Sequence, residues 1–286
     1  MLTCKLQGGL GNQLFQIYTT IAYAIQTNQK FIFLNVYELK SSVTDRYTYW
    51  DNFLKSLRPF LMDPELINKE KDNLLIIREK AFTYEALPLP LHISDKKIKV
   101  LNGYFQSFKY FNNYFQTINR LLKIDDIKVE LTNKYRKLIN DEFPISMHFR
   151  LGDYKKLPEH YVILEVDYYR AALKYLLLTN PVTNVLYFCE EQDLEDVEPI
   201  IDTLKAEFPN IKFIRADPEL KDWEQLILMS LCRNNIIANS TFSWWGAYLN
   251  TYRQKKVIYP ATWFGKKIQK THDTMDLFPV DWIKIG

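Results

Sequence analysis

A short stretch in the middle of the chain, 146–156 (SMHFRLGDYKK), concentrates side chains that could bind an anion. An apolar strand pattern ends there at Arg150, whose forked N–H donors fit a phosphate group. His148 lies two residues earlier and therefore points to the same side of the strand. Two readings stay open for each: Arg150 is a phosphate ligand or a surface ion-pair partner of Asp153, and His148 contacts ligand or is structural.

A second polar cluster lies in 236–249 (IIANSTFSWWGAYL), where an apolar strand pattern stops at Asn239 and a helix is predicted to begin near Thr241. Asn, Ser and Thr at such a point can cap the helix, and they also offer donors to an anion where the helix dipole favours negative charge. Ligands of open α/β sheets bind outside the carboxyl ends of the strands. We therefore expect Ser240, Thr241 and Ser243 to contact a ligand.

A glycine turn, 7–13 (QGGLGNQ), follows the first predicted strand, 3–6, and opens a helix. Glycines at this position let backbone amides approach a phosphate. The dinucleotide-binding pattern fails at its last position, where Leu14 replaces glycine, which disfavours a nicotinamide enzyme. A tight turn alone is the structural alternative, but the amides of Asn12 and Gln13 favour polar ligand contact.

Composition limits the class of protein. The chain has 286 residues, of which 47% are hydrophobic and 25% charged, so it can bury a core and is not disordered. The net charge of +3 is too small to indicate a nucleic-acid partner. Its three cysteines are far apart, and no apolar run is long enough to span a membrane. We expect a cytoplasmic protein, with loose peripheral contact to the inner face of the membrane permitted by its charge.

The order of predicted elements indicates two α/β domains. The amino-terminal part begins with a βαβ pattern, while 40–98 is irregular. After Pro144 strands and helices alternate strictly, which predicts a parallel sheet covered by helices on both faces. The predicted strands of this part are 145–149, 184–189, 212–215, 236–239 and 256–259. We predict domains 1–143 and 144–286, with a tail, 261–286, that has no clear element and could cross back onto the first domain.

Four motifs in order, GGLGNQ, NGYFQS, HFRLGDY and NSTFSWWGAYL, resemble those of the α-1,2-fucosyltransferases of glycosyltransferase family 11, and they span most of the chain. The resemblance implies a GT-B architecture, in which two Rossmann-like domains face a cleft. It also implies inverting transfer of L-fucose from GDP-L-fucose to the 2-hydroxyl of a β-galactoside in surface glycan synthesis. The acceptor would be an oligosaccharide or glycolipid, and neither a metal ion nor a cofactor is implied.

The same resemblance assigns roles to residues by position. Arg150 would bind the diphosphate and Asn12 would lie near the reacting sugar, while Tyr104 and Gln106 are expected on the acceptor side. The implied donor-binding residues are Gly9, Gly11, His148, Arg150, Glu190, Glu224, Asn239, Ser240, Thr241, Phe242 and Ser243. The base that removes the acceptor proton stays open among Asp153, Glu159 and His160.

One departure from the family affects the expected donor site. Leu151 stands where the family carries a second arginine. Either Lys155 or Lys156 supplies the missing charge, or the specificity has shifted; we expect Leu151→Arg to be tolerated. Two other functions therefore stay open, a GT-B transferase that uses another nucleotide sugar and a non-catalytic glycan- or nucleotide-binding relative. The sequence has no DxD pair of the kind that holds a divalent cation in many sugar-nucleotide enzymes, which predicts metal independence.

Overall fold

The structure, a computed structural model, describes residues 1–41, 44–88, 98–136, 144–179 and 183–286. The chain forms two compact units, one of Met1–Ile127 with Thr271–Pro279, the other of Lys128–Lys270 with Val280–Gly286. The predicted boundary at 143 lies outside the described residues. The second unit includes Lys128, whose buried side chain donates from Nζ to the carbonyl of Leu249 at 2.5 Å.

The first unit contains short strands and one long helix. Its elements are β1 (Leu2–Cys4), α1 (Leu10–Gln26), β2 (Phe33–Leu34), β3 (Glu38–Leu39), β4 (Arg46–Tyr47), β5 (Leu61–Met62), α2 (Pro64–Lys69), β6 (Leu74–Arg78), β7 (Ile98–Asn102), α3 (Phe115–Leu122) and the start of α4 (Ile124–Lys134). A parallel sheet has the order β1-β7-β6; β2 pairs with β5 in parallel, and β3 with β4 antiparallel. The helical spacing of Leu14, Ile17, Ile21 and Ile25 predicts a buried face of α1. The first three are buried, whereas Ile25 in the last turn is exposed, and from Leu10 to Ala24 the helix is buried on nearly all sides.

The second unit contains a six-stranded, entirely parallel sheet. Its elements after α4 are β8 (Ile145–His148), α5 (Val166–Thr179), β9 (Asn184–Phe188), α6 (Leu194–Glu207), β10 (Lys212–Arg215), α7 (Asp222–Leu231), β11 (Asn234–Ile236), α8 (Thr241–Tyr248), β12 (Val257–Pro260), α9 (Lys266–Gln269) and β13 (Ile283–Ile285). The spatial order is β10-β9-β8-β11-β12-β13.

Two sequence-based expectations for this unit need correction. The fourth predicted strand, 236–239, is shifted, because β11 begins with the buried residues Asn234 and Asn235. The Asn235 side chain donates to Ser146 Oγ on β8 and to the Met229 carbonyl, both at 2.7 Å, so the interior of the sheet satisfies its polar atoms. The tail also contains elements, since α9 and β13 lie in it, and β13 is recognisable only by its pairing with β12.

The strand order places the two polar clusters of this unit side by side. From β8 the chain builds outward through β9 and β10, and from β11 it builds in the opposite direction through β12 and β13. The strand order therefore reverses between β8 and β11. In doubly wound sheets the ligand binds at this switch point, outside the carboxyl ends of the strands. The residues that follow β8 and β11 are those of the HFRLGD and NSTFS motifs.

Candidate active site

Arg150 lies at the switch point of the second unit, just beyond the end of β8. Its side chain is 17% exposed and forms ion pairs through Nη1 with Glu190 and through Nη2 with Asp153. Its guanidinium carbon also lies 5.2 Å from the ring centroid of Tyr154. The arginine is therefore a half-enclosed cation held between two carboxylates, a geometry suited to an exchange of anionic partners.

Gly152 permits the turn that folds back over this arginine. Its φ is +35°, in the region that disfavours residues with a Cβ. A Cβ there would lie 3.1 Å from Glu190 Oε2 and 3.4 Å from Arg150 Nη1. The Gly152 amide donates to Asp193 Oδ2 at 2.6 Å, which anchors the turn. Both the positive φ of this residue and the side-chain atoms close to it therefore favour glycine between Arg150 and Asp153.

His148 is a buried, neutral side chain next to Arg150. It is 7% exposed, and its ring centroid lies 5.5 Å from that of Phe242. Burial, together with the charge of Arg150, lowers the pKa of His148 to about 3. Its Nδ1 is buried without a hydrogen-bond partner in the protein. Because buried polar atoms are normally paired, this nitrogen is an exception, and the contact between His148 and a ligand stays a prediction.

The start of α8 combines capping with buried polar atoms. Ser240 is the N-cap, and its Oγ accepts a hydrogen bond from the Phe242 amide at 3.3 Å. Asn239 Nδ2 donates to the carbonyls of Val162 at 2.9 Å and Trp263 at 3.1 Å, while its Oδ1 has no partner in the protein. Asn239 and Ser240 therefore hold the loop, and the amide end of α8 lies next to the carboxyl end of β8.

The remaining members of this motif differ in exposure. Ser243 is buried, and its Oγ makes long hydrogen bonds to the carbonyls of Ala238 at 3.5 Å and Ser240 at 3.4 Å. Thr241 and Phe242 are half-buried. The contacts of Ser243 are structural, so the predicted ligand contacts of Ser243, Thr241 and Phe242 stay predictions.

The two glutamates assigned to the donor site have different surroundings. Glu190 pairs with Arg150 and accepts a hydrogen bond from Gln192 Nε2 at 2.5 Å. Glu224 is buried in the capping box of α7, where it pairs with Lys134 at 2.7 Å and accepts from the Lys221 amide at 3.0 Å. Burial alone would raise the pKa of Glu224, but these hydrogen bonds hold it below its usual range. Glu190 therefore belongs to the arginine cluster, whereas the contacts of Glu224 are those of a structural cap.

The three candidate bases have different surroundings. The carboxylate of Asp153 is engaged with Arg150. Glu159 is exposed and His160 half-buried; their backbone carbonyls accept from Lys267 at 2.9 Å and Gly265 at 2.7 Å. The identity of the base therefore stays open among them.

The structure shows the surroundings of Leu151, the residue that replaces the family's second arginine. Leu151 is 5% exposed and belongs to the core cluster of the second unit, together with Met147 and Tyr169. Lys155 is paired with Asp193 at 3.1 Å and with Asp196 at 2.5 Å, so its charge is already matched by acidic partners. The expectation that Leu151→Arg is tolerated conflicts with this burial, since an arginine there would enter an apolar core.

The glycine turn of the first unit is held by side-chain amides. Gln13 is fully buried and donates to the carbonyls of Gly8 at 3.0 Å and Tyr47 at 2.9 Å, while its Oε1 has no hydrogen-bond partner in the protein. The contacts of its Nε2 are structural, and its expected ligand contact stays a prediction. Asn12 Oδ1 accepts from Gln106 Nε2 at 3.0 Å, which joins the turn to the NGYFQS motif. Gly8 has φ +78° and lies against Asn12, where an added Cβ would come within 2.4 Å of Nδ2.

The other two glycines of the turn, Gly9 and Gly11, lie at the start of α1. Gly9 is the N-cap of α1 and makes no side-chain capping bond, while Gly11 is buried in the first turn. The amide end of α1 thus begins at the carboxyl edge of β1. This geometry is compatible with the donor contact predicted for both glycines and with a purely structural turn.

Glu79 is a residue that the sequence analysis missed. It follows β6, and its two carboxylate oxygens accept from the amides of Tyr104 at 2.7 Å and Phe105 at 2.8 Å. Burial raises its pKa. An added Cβ on Gly103 would come within 2.3 Å of Glu79 Cβ, which explains the glycine of NGYFQS. Glu79 therefore shapes the turn that carries Tyr104 and Gln106, and no local pattern in the irregular stretch signals it.

The described part of the chain, residues 1–41, 44–88, 98–136, 144–179 and 183–286, bears on metal binding and on membrane crossing. Within it, no group of three or more His, Cys, Asp or Glu side chains is arranged to hold a metal ion. Among the same residues, no helix has the length and apolar character needed to cross a bilayer. Metal independence and location stay predictions.

Comparison with known proteins identifies the family. The family description "Glycosyl transferase family 11" matches residues 1–286. An Escherichia coli O-antigen biosynthesis glycosyltransferase, WbnK, is 30% identical, and the alignment covers all of both chains. An Escherichia coli alpha-1,2-colitosyltransferase is 26% identical, over 100% of this chain and 99% of that protein. A Caenorhabditis elegans galactoside 2-alpha-L-fucosyltransferase is 27% identical, over 100% of this chain and 79% of that protein.

Solved structures show the same fold at low identity. The Escherichia coli ADP-heptose heptosyltransferase II superposes with a TM-score of 0.51 at 12% identity, covering 99% of this chain and 89% of that one. A family 9 glycosyl transferase from Veillonella parvula gives 0.50 at 10% identity, covering 99% and 86%. These are GT-B glycosyltransferases, which confirms the predicted fold class. With the family match over its whole length, the chain is a glycosyltransferase and belongs to glycosyl transferase family 11.

Proposed function

We propose that the protein transfers L-fucose from GDP-L-fucose to the 2-hydroxyl of a β-galactoside. The observation that carries the proposal is Arg150, a half-enclosed forked cation at the switch point of the sheet, beside the amide end of α8. A relative described as a galactoside 2-alpha-L-fucosyltransferase aligns with all of this chain and supports the choice of sugar and linkage.

The proposed chemistry needs a site that stabilises a leaving diphosphate. Negative charge develops on the diphosphate as the sugar bond breaks, and preorganised donors that meet this charge are usually the largest catalytic term. Arg150 and the first amides of α8 would supply those donors. In the structure Glu190 and Asp153 occupy the guanidinium. These two ion pairs involve two of the five N–H donors of the guanidinium. In the proposed reaction the diphosphate takes the place of at least one of the two carboxylates on Arg150.

No organic cofactor takes part in the proposed reaction. GDP-L-fucose is a substrate, and its diphosphate is met by protein groups. The acceptor is an oligosaccharide or glycolipid, with the acceptor side of the site in the first unit. There Asn12, Gln106 and Tyr104 lie at the carboxyl edge of the β1-β7-β6 sheet, close to chain segments fixed by Glu79.

A second candidate function is α-1,2 transfer of colitose from its nucleotide-linked form. It is favoured by the full-length alignment with an alpha-1,2-colitosyltransferase. The departure at Leu151, which places a core leucine where the family carries a second arginine, is compatible with an altered donor site. Both candidates share the chemistry at Arg150 and differ only in the sugar.

A donor comparison tests the proposal. The purified chain is incubated with GDP-L-fucose or GDP-colitose and a β-galactoside, and mass spectrometry and linkage analysis identify the product. A 2-linked fucosyl product supports the proposal, and turnover of the colitose donor alone favours the second candidate. If GDP binds but no nucleotide sugar is turned over with any acceptor, the chain is a non-catalytic relative and the proposal fails.

A further inference from the structure

Tyr154 contacts Arg150 in a way that neither carboxylate does. Its ring centroid lies 5.2 Å from the guanidinium carbon, a cation–π distance. The same ring stacks on Tyr161, with centroids 4.0 Å apart and planes inclined by 8°. The guanidinium is therefore in contact with a ring that is itself fixed by a second aromatic side chain.

The hydroxyl of Tyr154 reaches the other motif. It donates to the carbonyl of Asn239 at 2.9 Å, immediately before the N-cap of α8. The Asn239 side chain is in turn fixed by the carbonyls of Val162 and Trp263. One side chain thus connects the loop after β8, which carries Arg150, with the loop after β11, which begins α8.

The kind of contact matters when a ligand arrives. Glu190 and Asp153 each accept from one terminal nitrogen of Arg150, and in the proposed reaction these nitrogens would donate to an anionic ligand instead. A cation–π contact draws on the charge of the guanidinium as a whole, so it does not depend on which anion accepts from Nη1 and Nη2. The ring of Tyr154 can therefore hold the cation in place before, during and after the exchange of anionic partners.

We propose that Tyr154 is a positioning residue that holds the guanidinium of Arg150 at the switch point while its N–H donors pass from Glu190 and Asp153 to the diphosphate of the donor. The inference rests on the proposed function, because it requires a nucleoside diphosphate at this site. In this role the ring of Tyr154 contacts Arg150, and its hydroxyl connects the loop after β8 to the loop after β11.

GDP binding tests this role without depending on the sugar or the acceptor. The variants are Tyr154→Phe, Tyr154→Leu, Arg150→Ala and the double variant Tyr154→Leu/Arg150→Ala. Dissociation constants come from calorimetry, or from ligand-observed NMR where they reach the millimolar range. Tyr168→Phe is the matched control, because its buried hydroxyl donates to the carbonyls of Ile237 at 2.6 Å and Ile258 at 3.1 Å, in the same unit, and no described contact links it to Arg150.

The expected pattern separates the ring from the hydroxyl. Tyr154→Leu should weaken GDP binding about tenfold when Arg150 is present, because it removes the cation–π contact. In the Arg150→Ala background that contact is already absent, so the same substitution should weaken binding less than about twofold. Tyr154→Phe should stay within about threefold of the wild type, and Tyr168→Phe should leave GDP affinity unchanged. If thermal melting shows that the Tyr154→Leu protein is not folded, Tyr154→Met replaces it in the experiment.

Three results would overturn the inference. Equal losses from Tyr154→Leu in both Arg150 backgrounds would mean that the ring only stabilises the loop. A loss in Tyr154→Phe as large as in Tyr154→Leu would assign the effect to the hydroxyl. A wild-type chain that binds no GDP would overturn the proposed function together with this inference, whereas the first two results leave the proposed function intact.

Discussion

Replacing Arg150 with lysine removes the fork and keeps the charge. In the structure the two terminal nitrogens of Arg150 contact two different carboxylates, on Glu190 and Asp153. A lysine ammonium is a single point charge on a flexible four-carbon stem, so it cannot reproduce two divergent contacts. With the arginine side chain only 17% exposed, water has limited access to replace the lost donor. The same loss would apply to a diphosphate that takes the place of the carboxylates.

The expected size of this loss follows from comparable donors. Removing one preorganised donor to a developing negative charge typically costs about 10²–10³ in kcat, or ~3–4 kcal/mol of transition-state stabilisation. We expect Arg150→Lys to lower kcat with GDP-L-fucose by about this factor. The measurement is initial-rate kinetics with the donor varied, together with GDP affinity by calorimetry and thermal melting as the folding control.

Arg170 offers a matched control for this substitution. It pairs with Asp167 and with Glu207, whose nearest oxygen is 2.7 Å away, and its side chain is 25% exposed. Like Arg150, it pairs with two carboxylates. It lies on α5, however, and not in the loops that directly follow β8 and β11. Arg170→Lys should leave kcat within about twofold. Near wild-type turnover by a folded Arg150→Lys protein would refute the reasoning and make Arg150 an ion-pair partner only.

Other predictions concern pH, packing, the acceptor and metal ions. Burial lowers the pKa of His148 in the folded protein to about 3, so between about pH 6.5 and 3 the unfolded chain binds one more proton than the folded chain. The free energy of unfolding, measured in urea, should therefore fall by about 2 kcal/mol from pH 6.5 to 4.5. His148→Gln should remove this loss. If it persists in the variant, another group causes it. Leu151→Arg should lower the melting temperature markedly, since it places a charge in the core, and an unchanged melting temperature would contradict the assigned burial. Tyr104→Ala should raise the acceptor KM more than it weakens GDP binding, and equal effects would contradict an acceptor role. Turnover should survive excess EDTA, and loss of turnover that Mg²⁺ or Mn²⁺ restores would reveal a metal requirement.

The sequence alone determined the local features of this protein. Helical spacing predicted α1, and the alternation after Pro144 predicted a parallel sheet, because both patterns depend on residues close together in the chain. It also placed Arg150 and Asn239 a few residues after buried strands, β8 and β11, since a change from apolar to polar residues follows the end of a buried strand. The family motifs then indicated a nucleotide-sugar enzyme. These conclusions need no knowledge of which strands are neighbours.

Only the tertiary structure decided which of these residues meet. The order β10-β9-β8-β11-β12-β13 makes the two motif loops neighbours, and strand order depends on long-range pairing that local periodicity does not encode. The same limit explains the errors. Leu151 lies within the HFRLGDY motif, yet its side chain is buried in the core, and the strand predicted at 236–239 begins two residues earlier, at Asn234. Glu79 and the ring of Tyr154 acquire their roles only through contacts with distant or folded-back segments, because a side chain's partners are set by packing and not by its neighbours in sequence.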